Sequence, residues 1–182
     1  INGAWYYFDG AGWMVTGWLK RPSGWYYLTG SGAMATGWIQ LGSTWYYLNP
    51  GNGDMATGWT TIGGTRYYMN QDGSMVEGWS QQNGTWYYLA SDGKMQIGFQ
   101  NIGGSKYYLN TGSGAMAVGW LQLGSDWYYM NGSGAMLTDW QNIDGSEYYF
   151  YSSGAMAVST VIGGVEIGAD GKASRTESQE IG

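Results

Sequence analysis

Neither cysteine nor histidine occurs among the 182 residues, proline occurs twice, and only 11% of the chain is charged. Without the first two, disulfide scaffolds, thiol chemistry, the usual zinc ligand sets and Ser-His or Cys-His catalysis are excluded. Basic residues are scarce too. Seven Lys and Arg against thirteen Asp and Glu leave a net charge of −6 and a pI near 4.3. That is the wrong sign for a nucleic-acid binder, which needs clustered Lys and Arg. No run of about 18 apolar residues is present, so no membrane span is expected. The opening Ile1-Asn2-Gly3-Ala4-Trp5 has neither the basic nor the apolar stretch of a signal peptide. It begins inside a pattern that recurs downstream, and we expect a piece cut from a longer polypeptide.

What the chain has instead is glycine and aromatic rings: 34 Gly, 12 Trp, 17 Tyr and 3 Phe. Glycine-rich, charge-poor segments often stay disordered, but disordered segments are poor in aromatics because they cannot bury enough apolar area to offset chain entropy. This chain is therefore expected to fold, with its rings as the working parts.

Those rings recur at a fixed step. The Gly-Trp position reads Trp18, Trp38, Trp59, Trp79, Phe99, Trp120, Trp140, at intervals of 20 or 21 residues. A Tyr-Tyr doublet keeps the same step from Tyr6-Tyr7 to Tyr148-Tyr149. So does methionine, at Met14, Met34, Met55, Met75, Met95, Met116, Met136 and Met156. A period of this size is the signature of a repeat architecture. Trp25-Tyr26-Tyr27-Leu28 is a run of strand formers, Met34 to Trp38 is a second, and Thr29-Gly30-Ser31-Gly32 supplies turn residues between them. That reading predicts a hairpin of about fourteen residues. Glycines too frequent for a ten-residue helix, and no 3.6-residue period, argue against helix. A lone hairpin is marginal in water, so each must bury its rings on its neighbours. The expected fold is all-β, a solenoid of about eight to nine stacked β-hairpins.

The residue after each doublet is always apolar (Phe8, Leu28, Leu48, Met69, Leu89, Leu109, Met130, Phe150), and this slot is assigned to the interior together with one Tyr of each doublet. The sequence divides into hairpin repeats over residues 1–158, a degenerate terminal capping repeat over 159–173, where Thr160 to Gly168 matches Thr60 to Tyr68 without the aromatics, and a polar tail over 174–182 expected to fray.

Aromatic rings at fixed positions can stack on sugars or cage a cation, the latter at about 0.5–2 kcal/mol per contact. The Gly-Trp tryptophan and the Trp that heads the next triplet lie seven residues apart at Trp18/Trp25, Trp38/Trp45, Trp79/Trp86 and Trp120/Trp127. A short connection can bring both to one mouth.

The repeat Thr36-Gly37-Trp38 followed by Trp45-Tyr46-Tyr47-Leu48 resembles the choline-binding repeat of Gram-positive surface proteins, a family of autolysins and adhesins attached to choline on teichoic acids. The resemblance spans residues 2 to about 158. It implies a left-handed superhelix of hairpins, secretion to the cell wall, and sites between consecutive hairpins. Carried over residue by residue, those sites are Trp18, Trp25, Tyr46 with Met55; Trp38, Trp45, Tyr67 with Met75; Trp79, Trp86, Tyr107 with Met116; and Trp120, Trp127, Tyr148 with Met156. The chain departs from the pattern where Arg66, Lys106 and Glu147 replace the triplet's leading Trp. Arg66 and Lys106 would put a cation where the ligand's cation should sit, which is expected to disable the pockets of Trp59 and Phe99. Loss of a ring wall at Glu147 is expected to weaken the third.

The function expected is a non-catalytic attachment module whose partner is choline-decorated teichoic acid or another wall polymer, with no cofactor. The alternative is a carbohydrate-binding module, since related aromatic repeats in glucan-binding proteins and clostridial toxins bind glycans. Catalysis is not expected of this segment. Its Asp residues fall mostly in turns, and no convergent pair of carboxylates stands out; any catalytic domain would lie outside it.

Overall fold

Short turns decide which strands pair. In the computed structural model, which describes residues 3–175, the dipeptides Gly63-Gly64, Asn83-Gly84 and Asp144-Gly145 have consecutive φ values of +57° and +82°, +50° and +81°, and +51° and +80°. Two successive left-handed residues make a type I′ turn, whose twist matches that of the strands it joins. Each such turn links a Gly-Trp run to the triplet that follows it.

The resulting hairpins are β1 (Gly17–Arg21) with β2 (Gly24–Leu28), β3 (Gly37–Leu41) with β4 (Thr44–Leu48), β5 (Gly58–Ile62) with β6 (Thr65–Met69), and β7 (Gly78–Gln82) with β8 (Thr85–Leu89). They continue as β9 (Gly98–Ile102) with β10 (Ser105–Leu109), β11 (Gly119–Leu123) with β12 (Asp126–Met130), and β13 (Asp139–Ile143) with β14 (Ser146–Phe150). A three-stranded sheet ends the series: β15 (Thr160–Ile162), β16 (Val165–Ile167) and β17 (Ala173–Ser174). Among the described residues there is no helix and no closed barrel.

The pairing differs from the sequence expectation in one respect. The turn expected at Thr29-Gly32 is present, but it closes only an isolated bridge between Leu28 and Met34. The five-residue ladder runs the other way along the chain, from Gly17 opposite Leu28 to Arg21 opposite Gly24. A two-residue connection with the right handedness holds a longer ladder than a loop of five, and that decides the partner.

The ladder register sorts the side chains. Trp18 lies opposite Tyr27 and Lys20 opposite Trp25 on one face, while Leu19 lies opposite Tyr26 on the other, which also carries Leu28. The slot after the doublet is the core: Leu48, Met69, Leu89, Leu109, Met130 and Phe150 are fully buried. Consecutive repeats are also joined through the backbone. The Met55 N–H donates to the Trp25 carbonyl at 2.7 Å, Met75 to Trp45 at 2.9 Å, Met136 to Lys106 at 2.7 Å and Met156 to Trp127 at 2.7 Å.

The chain divides into two compact units, Ile1–Gln82 with Tyr87–Met95, and Asn83–Trp86 with Gln96–Gly182. In the second, Val165 and Ile167 of the terminal repeat are buried in place of the missing aromatics. The chain remains in strand at Ser174, one residue into the stretch assigned from sequence to the tail, and residues 176–182 of that stretch lie outside the described residues.

Candidate functional site

Because side chains alternate along a strand, one hairpin face presents the Gly-Trp ring and the leading Trp together, and the next hairpin brings its first Tyr to that face. In the first unit Trp18 meets Trp25 at 6.5 Å between centroids and 88° between planes, and Tyr46 of the following hairpin at 5.0 Å and 67°. Trp38 meets Trp45 at 6.2 Å and 87°, and Tyr67 at 5.0 Å and 67°. In the second unit Trp120 meets Trp127 at 6.2 Å and 82°, and Tyr148 at 4.9 Å and 70°.

These distances and tilts fall within the attractive range for aromatic pairs, so the sets are part of the packing even when empty. The second Tyr of each doublet backs its own hairpin's Trp instead. Tyr27 lies 5.2 Å from Trp18, Tyr47 5.2 Å from Trp38 and Tyr129 5.0 Å from Trp120.

Two of these corners open into cavities. One of about 260 Å3 is lined by Trp18, Trp25, Tyr46, Met55 and Asp72. Another of about 470 Å3 is lined by Trp38, Trp45, Tyr67, Met75, Ser91, Asp92 and Lys94. The fourth expected set falls on both sides of the division between units: Trp79, 5.1 Å from Tyr88, belongs to the first, and Trp86, Tyr107 and Met116 belong to the second.

Methionine has a reason of its own for its fixed position. A Cβ placed on Gly73 would lie 2.2 Å from the sulfur of Met55, and one on Gly93 2.3 Å from that of Met75. Each Met thus lines a ring corner on one side and is seated under the turn of the next repeat on the other. Gly73 also has φ of +82°, which costs an L residue about 1–2 kcal/mol. Gly73→Ala is therefore expected to lose at least that much stability and to dislodge Met55. Gly51→Ala, where the added carbon meets nothing within 4 Å, should be near neutral. Equal midpoints for the two variants in urea unfolding would refute the seat.

At the three charged heads a cation lies on the ring. The Arg66 guanidinium carbon is 4.5 Å from the centroid of Trp59, and the Lys106 ammonium is 4.7 Å from that of Phe99. Glu147 receives two hydrogen bonds from Arg175, at 2.5 and 2.7 Å, and Arg175 in turn lies 5.3 Å from the centroid of Trp140. So the one acidic head holds a cation supplied from beyond β17.

Sequence reasoning missed the polar residues at the rim. It took turn aspartates as backbone caps, which they are: Asp72 accepts from the Ser74 N–H at 2.9 Å and the Ser74 hydroxyl at 2.6 Å. Those bonds hold its carboxyl below the usual carboxylate value, so it stays charged at the edge of the Trp18 corner. Asp92 is likewise lowered, chiefly by its bond to Lys94, whose ammonium is 2.8 Å away. A further cavity of about 440 Å3 includes Trp5, Tyr26 and Met34, the same three positions without a Gly-Trp ring. Arg21 also lines it, stacked 4.8 Å from Tyr7 and donating to the Tyr7 hydroxyl at 2.8 Å.

The chain matches the family model described as choline-binding repeat over residues 1–37, 23–57 and 56–97, and that described as putative cell wall binding repeat over 97–116, 118–136 and 138–156. Among solved structures it is similar to CbpJ of Streptococcus pneumoniae TIGR4, at 45% identity and a TM-score of 0.88, covering 93% of this chain and 61% of that one. Choline binding protein F of Streptococcus pneumoniae, solved in the presence of a peptidoglycan analogue, is similar at 40% identity and a TM-score of 0.87, with the same coverage. The choline-binding domain of CbpL from Streptococcus pneumoniae is 36% identical with a TM-score of 0.67, over 97% of this chain and 96% of that one. The chain therefore spans about three-fifths of the length of the first two. No curated protein matches it.

Proposed function

Since this chain belongs to the choline-binding repeat family of cell-wall-binding modules, we propose that it attaches to choline carried by a wall polymer such as teichoic acid, through the ring corners at Trp18/Trp25/Tyr46, Trp38/Trp45/Tyr67 and Trp120/Trp127/Tyr148. Met55, Met75 and Met156 complete the three corners. Trp79, Trp86, Tyr107 and Met116 are the residues of a fourth set on the same sequence pattern. Attachment is non-catalytic and takes place at the cell surface.

The single observation that carries this reading is the shape of the corner. Two rings inclined at 67–88° to the Gly-Trp ring, one from its own hairpin and one from the next, offer a compact cation more than one face at once. A flat sugar ring stacks on one face and gains little from the others. Methyl groups of a quaternary ammonium cannot donate a strong hydrogen bond, so the ring quadrupole and the close fit supply the attraction.

Each corner alone is weak, because roughly three contacts of 0.5–2 kcal/mol do little more than offset the cost of immobilising a small ligand. Several corners on one choline-bearing polymer can add a factor of about 10²–10⁴. In calorimetric titration, choline should give saturable heat in the millimolar range and raise the melting temperature, because it binds only the folded chain. The neutral isostere 3,3-dimethylbutanol should bind much more weakly. Equal binding of the isostere would replace the cation cage with an apolar pocket, and dextran binding without choline heat would replace choline with glycan.

A further inference from the structure

The last Gly-Trp position, Trp140, has lost the walls that make the other corners aromatic. Trp140 keeps its backing ring, Tyr149, at 5.1 Å and 64°. Glu147 takes the leading position, opposite Asn142 as Trp45 lies opposite Gln40. The buried Ile167 occupies the sequence position from which the next hairpin elsewhere supplies its Tyr. One ring face and one carboxylate remain. A quaternary ammonium has no N–H to give a carboxylate. A guanidinium uses both groups at once, because it is planar, stacks on a ring face and presents parallel N–H donors along one edge.

The chain supplies such a group. Arg175 Nε donates to Glu147 Oε2 at 2.5 Å and Nη2 donates to Oε1 at 2.7 Å, while the guanidinium carbon lies 5.3 Å from the Trp140 centroid. Arg66 and Lys106 cover rings of their own hairpins and cannot leave them. Arg175 arrives on a different strand, 28 residues along the chain from Glu147. That strand has few other ties: β17 is two residues long and pairs with β16 at Glu166–Ser174 and Ile167–Ala173.

We propose that Trp140 and Glu147 form a guanidinium receptor with Arg175 as its resident occupant, so that occupancy closes β17 against β14 and an arginine-type ligand from outside opens it. This holds whatever the aromatic corners bind. Exposed ion pairs usually contribute little, but a bidentate fork is the exception, and these two side chains are only 40% and 29% exposed. A group tethered this closely competes as if present at about millimolar concentration. An outside guanidinium must exceed that range to displace it. Once it does, β17 must open, because the ligand occupies only the state that Arg175 has left.

Protein labelled with 5-fluorotryptophan, its Trp140 resonance assigned by Trp140→Phe, is titrated with agmatine and with choline while fluorine shifts are recorded. In Arg175→Ala, agmatine should saturate the Trp140 shift at about tenfold lower concentration than choline, the factor that one hydrogen bond to a charged group supplies. Adding Glu147→Gln to Arg175→Ala should erase that ratio. In the unaltered protein the Trp140 shift should need roughly millimolar agmatine or more. Amide hydrogen exchange of β17 should quicken along the same curve. Arg175→Lys keeps the charge without the fork and should leave β17 exchanging as fast as in Arg175→Ala.

Equal agmatine and choline curves in Arg175→Ala, or a ratio untouched by Glu147→Gln, would overturn the receptor. Full protection of β17 in Arg175→Lys would overturn its preference for a guanidinium. Exchange of β17 that stays flat while agmatine saturates Trp140 would overturn the closure. The same quickening with sodium chloride at matched ionic strength would reduce the contact to a screened ion pair and overturn it too. The titration of the unaltered protein needs no variant, so it decides the matter even where the terminal sheet does not fold without Arg175.

Discussion

Trp38→Ala should cost the fold about 3 kcal/mol or more, whereas Trp45→Ala should cost less than about 1 kcal/mol, although each deletes choline binding at the same corner. The difference follows from where the two rings stand. Trp38 lies 5.2 Å from Tyr47 of its own hairpin and 5.0 Å from Tyr67 of the next, and packs against the buried cluster of Ala56, Tyr67 and Met69. Trp45 is 37% exposed and meets Trp38 edge-on at 6.2 Å. Removing the first ring leaves a hole between two hairpins, and removing the second takes away one wall of an open corner. Urea unfolding and choline titration on both variants check this. Equal stability losses would mean that the leading Trp is a core residue and that the corner is not a ligand face.

That division of labour was partly legible in the sequence. The 20- to 21-residue step, the strand-forming triplet and the apolar slot after it specify an all-β array of hairpins, and the buried series Leu48, Met69, Leu89, Leu109 occupies that slot. Pairing within the repeat differs from the expectation because the turn residues Thr29-Gly30-Ser31-Gly32 close only a single bridge, while the two-residue connection Pro22-Ser23 closes the five-residue ladder. Gly63-Gly64, Asn83-Gly84 and Asp144-Gly145 held the better signal, since a type I′ turn needs two consecutive left-handed residues rather than many flexible ones.

The ring triplets at Trp18, Trp38 and Trp120 came from the family resemblance; the residues alone gave only the seven-residue pairs. Which Tyr of the doublet meets them depends on the ladder register. Trp18 lies opposite Tyr27 and Leu19 opposite Tyr26, so the first Tyr of each doublet faces away from its own Gly-Trp ring and toward the preceding hairpin. The rim groups Asp72, Asp92 and Lys94 were out of reach for another reason. They reach a corner from about two repeats downstream, a juxtaposition that only the stacking of hairpins creates.

Stacking also explains how a repeat can lose its ring and keep its place. The head residue contributes its carbonyl to the next repeat whatever its side chain: Met95 donates to the Arg66 carbonyl at 2.9 Å just as Met75 donates to that of Trp45. The other ring contacts also persist. Trp59 meets Tyr68 at 5.1 Å and Tyr87 at 4.8 Å, close to the values for Trp38 with Tyr47 and Tyr67. A cation from the chain itself then covers the exposed ring face, Arg66 on Trp59 and Lys106 on Phe99. At Trp140 the cation is Arg175, held by Glu147. The aromatic–cation attraction is thus kept at these repeats with the cation built in.

Arg66→Trp should therefore open a ligand site where the chain now supplies its own cation. Two of the three walls already stand at the right tilt, since Trp59 and Tyr87 are inclined at 68° and Trp38 and Tyr67 at 67°. Position 66 lies opposite Thr61 in the ladder as Trp45 lies opposite Gln40, so a Trp there is directed to the same face. The backbone bond from Met95 does not depend on the side chain, and the fold should hold. Calorimetry with choline is expected to give one more site per chain than the unaltered protein. Retention on a choline-bearing surface should rise several-fold, because linked sites multiply. Arg66→Gln separates the two causes of the present occupancy by removing the cation without adding a ring; it should gain little, as one face of Trp59 and one of Tyr87 hold a quaternary ammonium less well than three walls. A full extra site in Arg66→Gln would show that the built-in cation alone had blocked the corner. Unchanged stoichiometry in a folded Arg66→Trp would show that the leading ring is not a wall of the site.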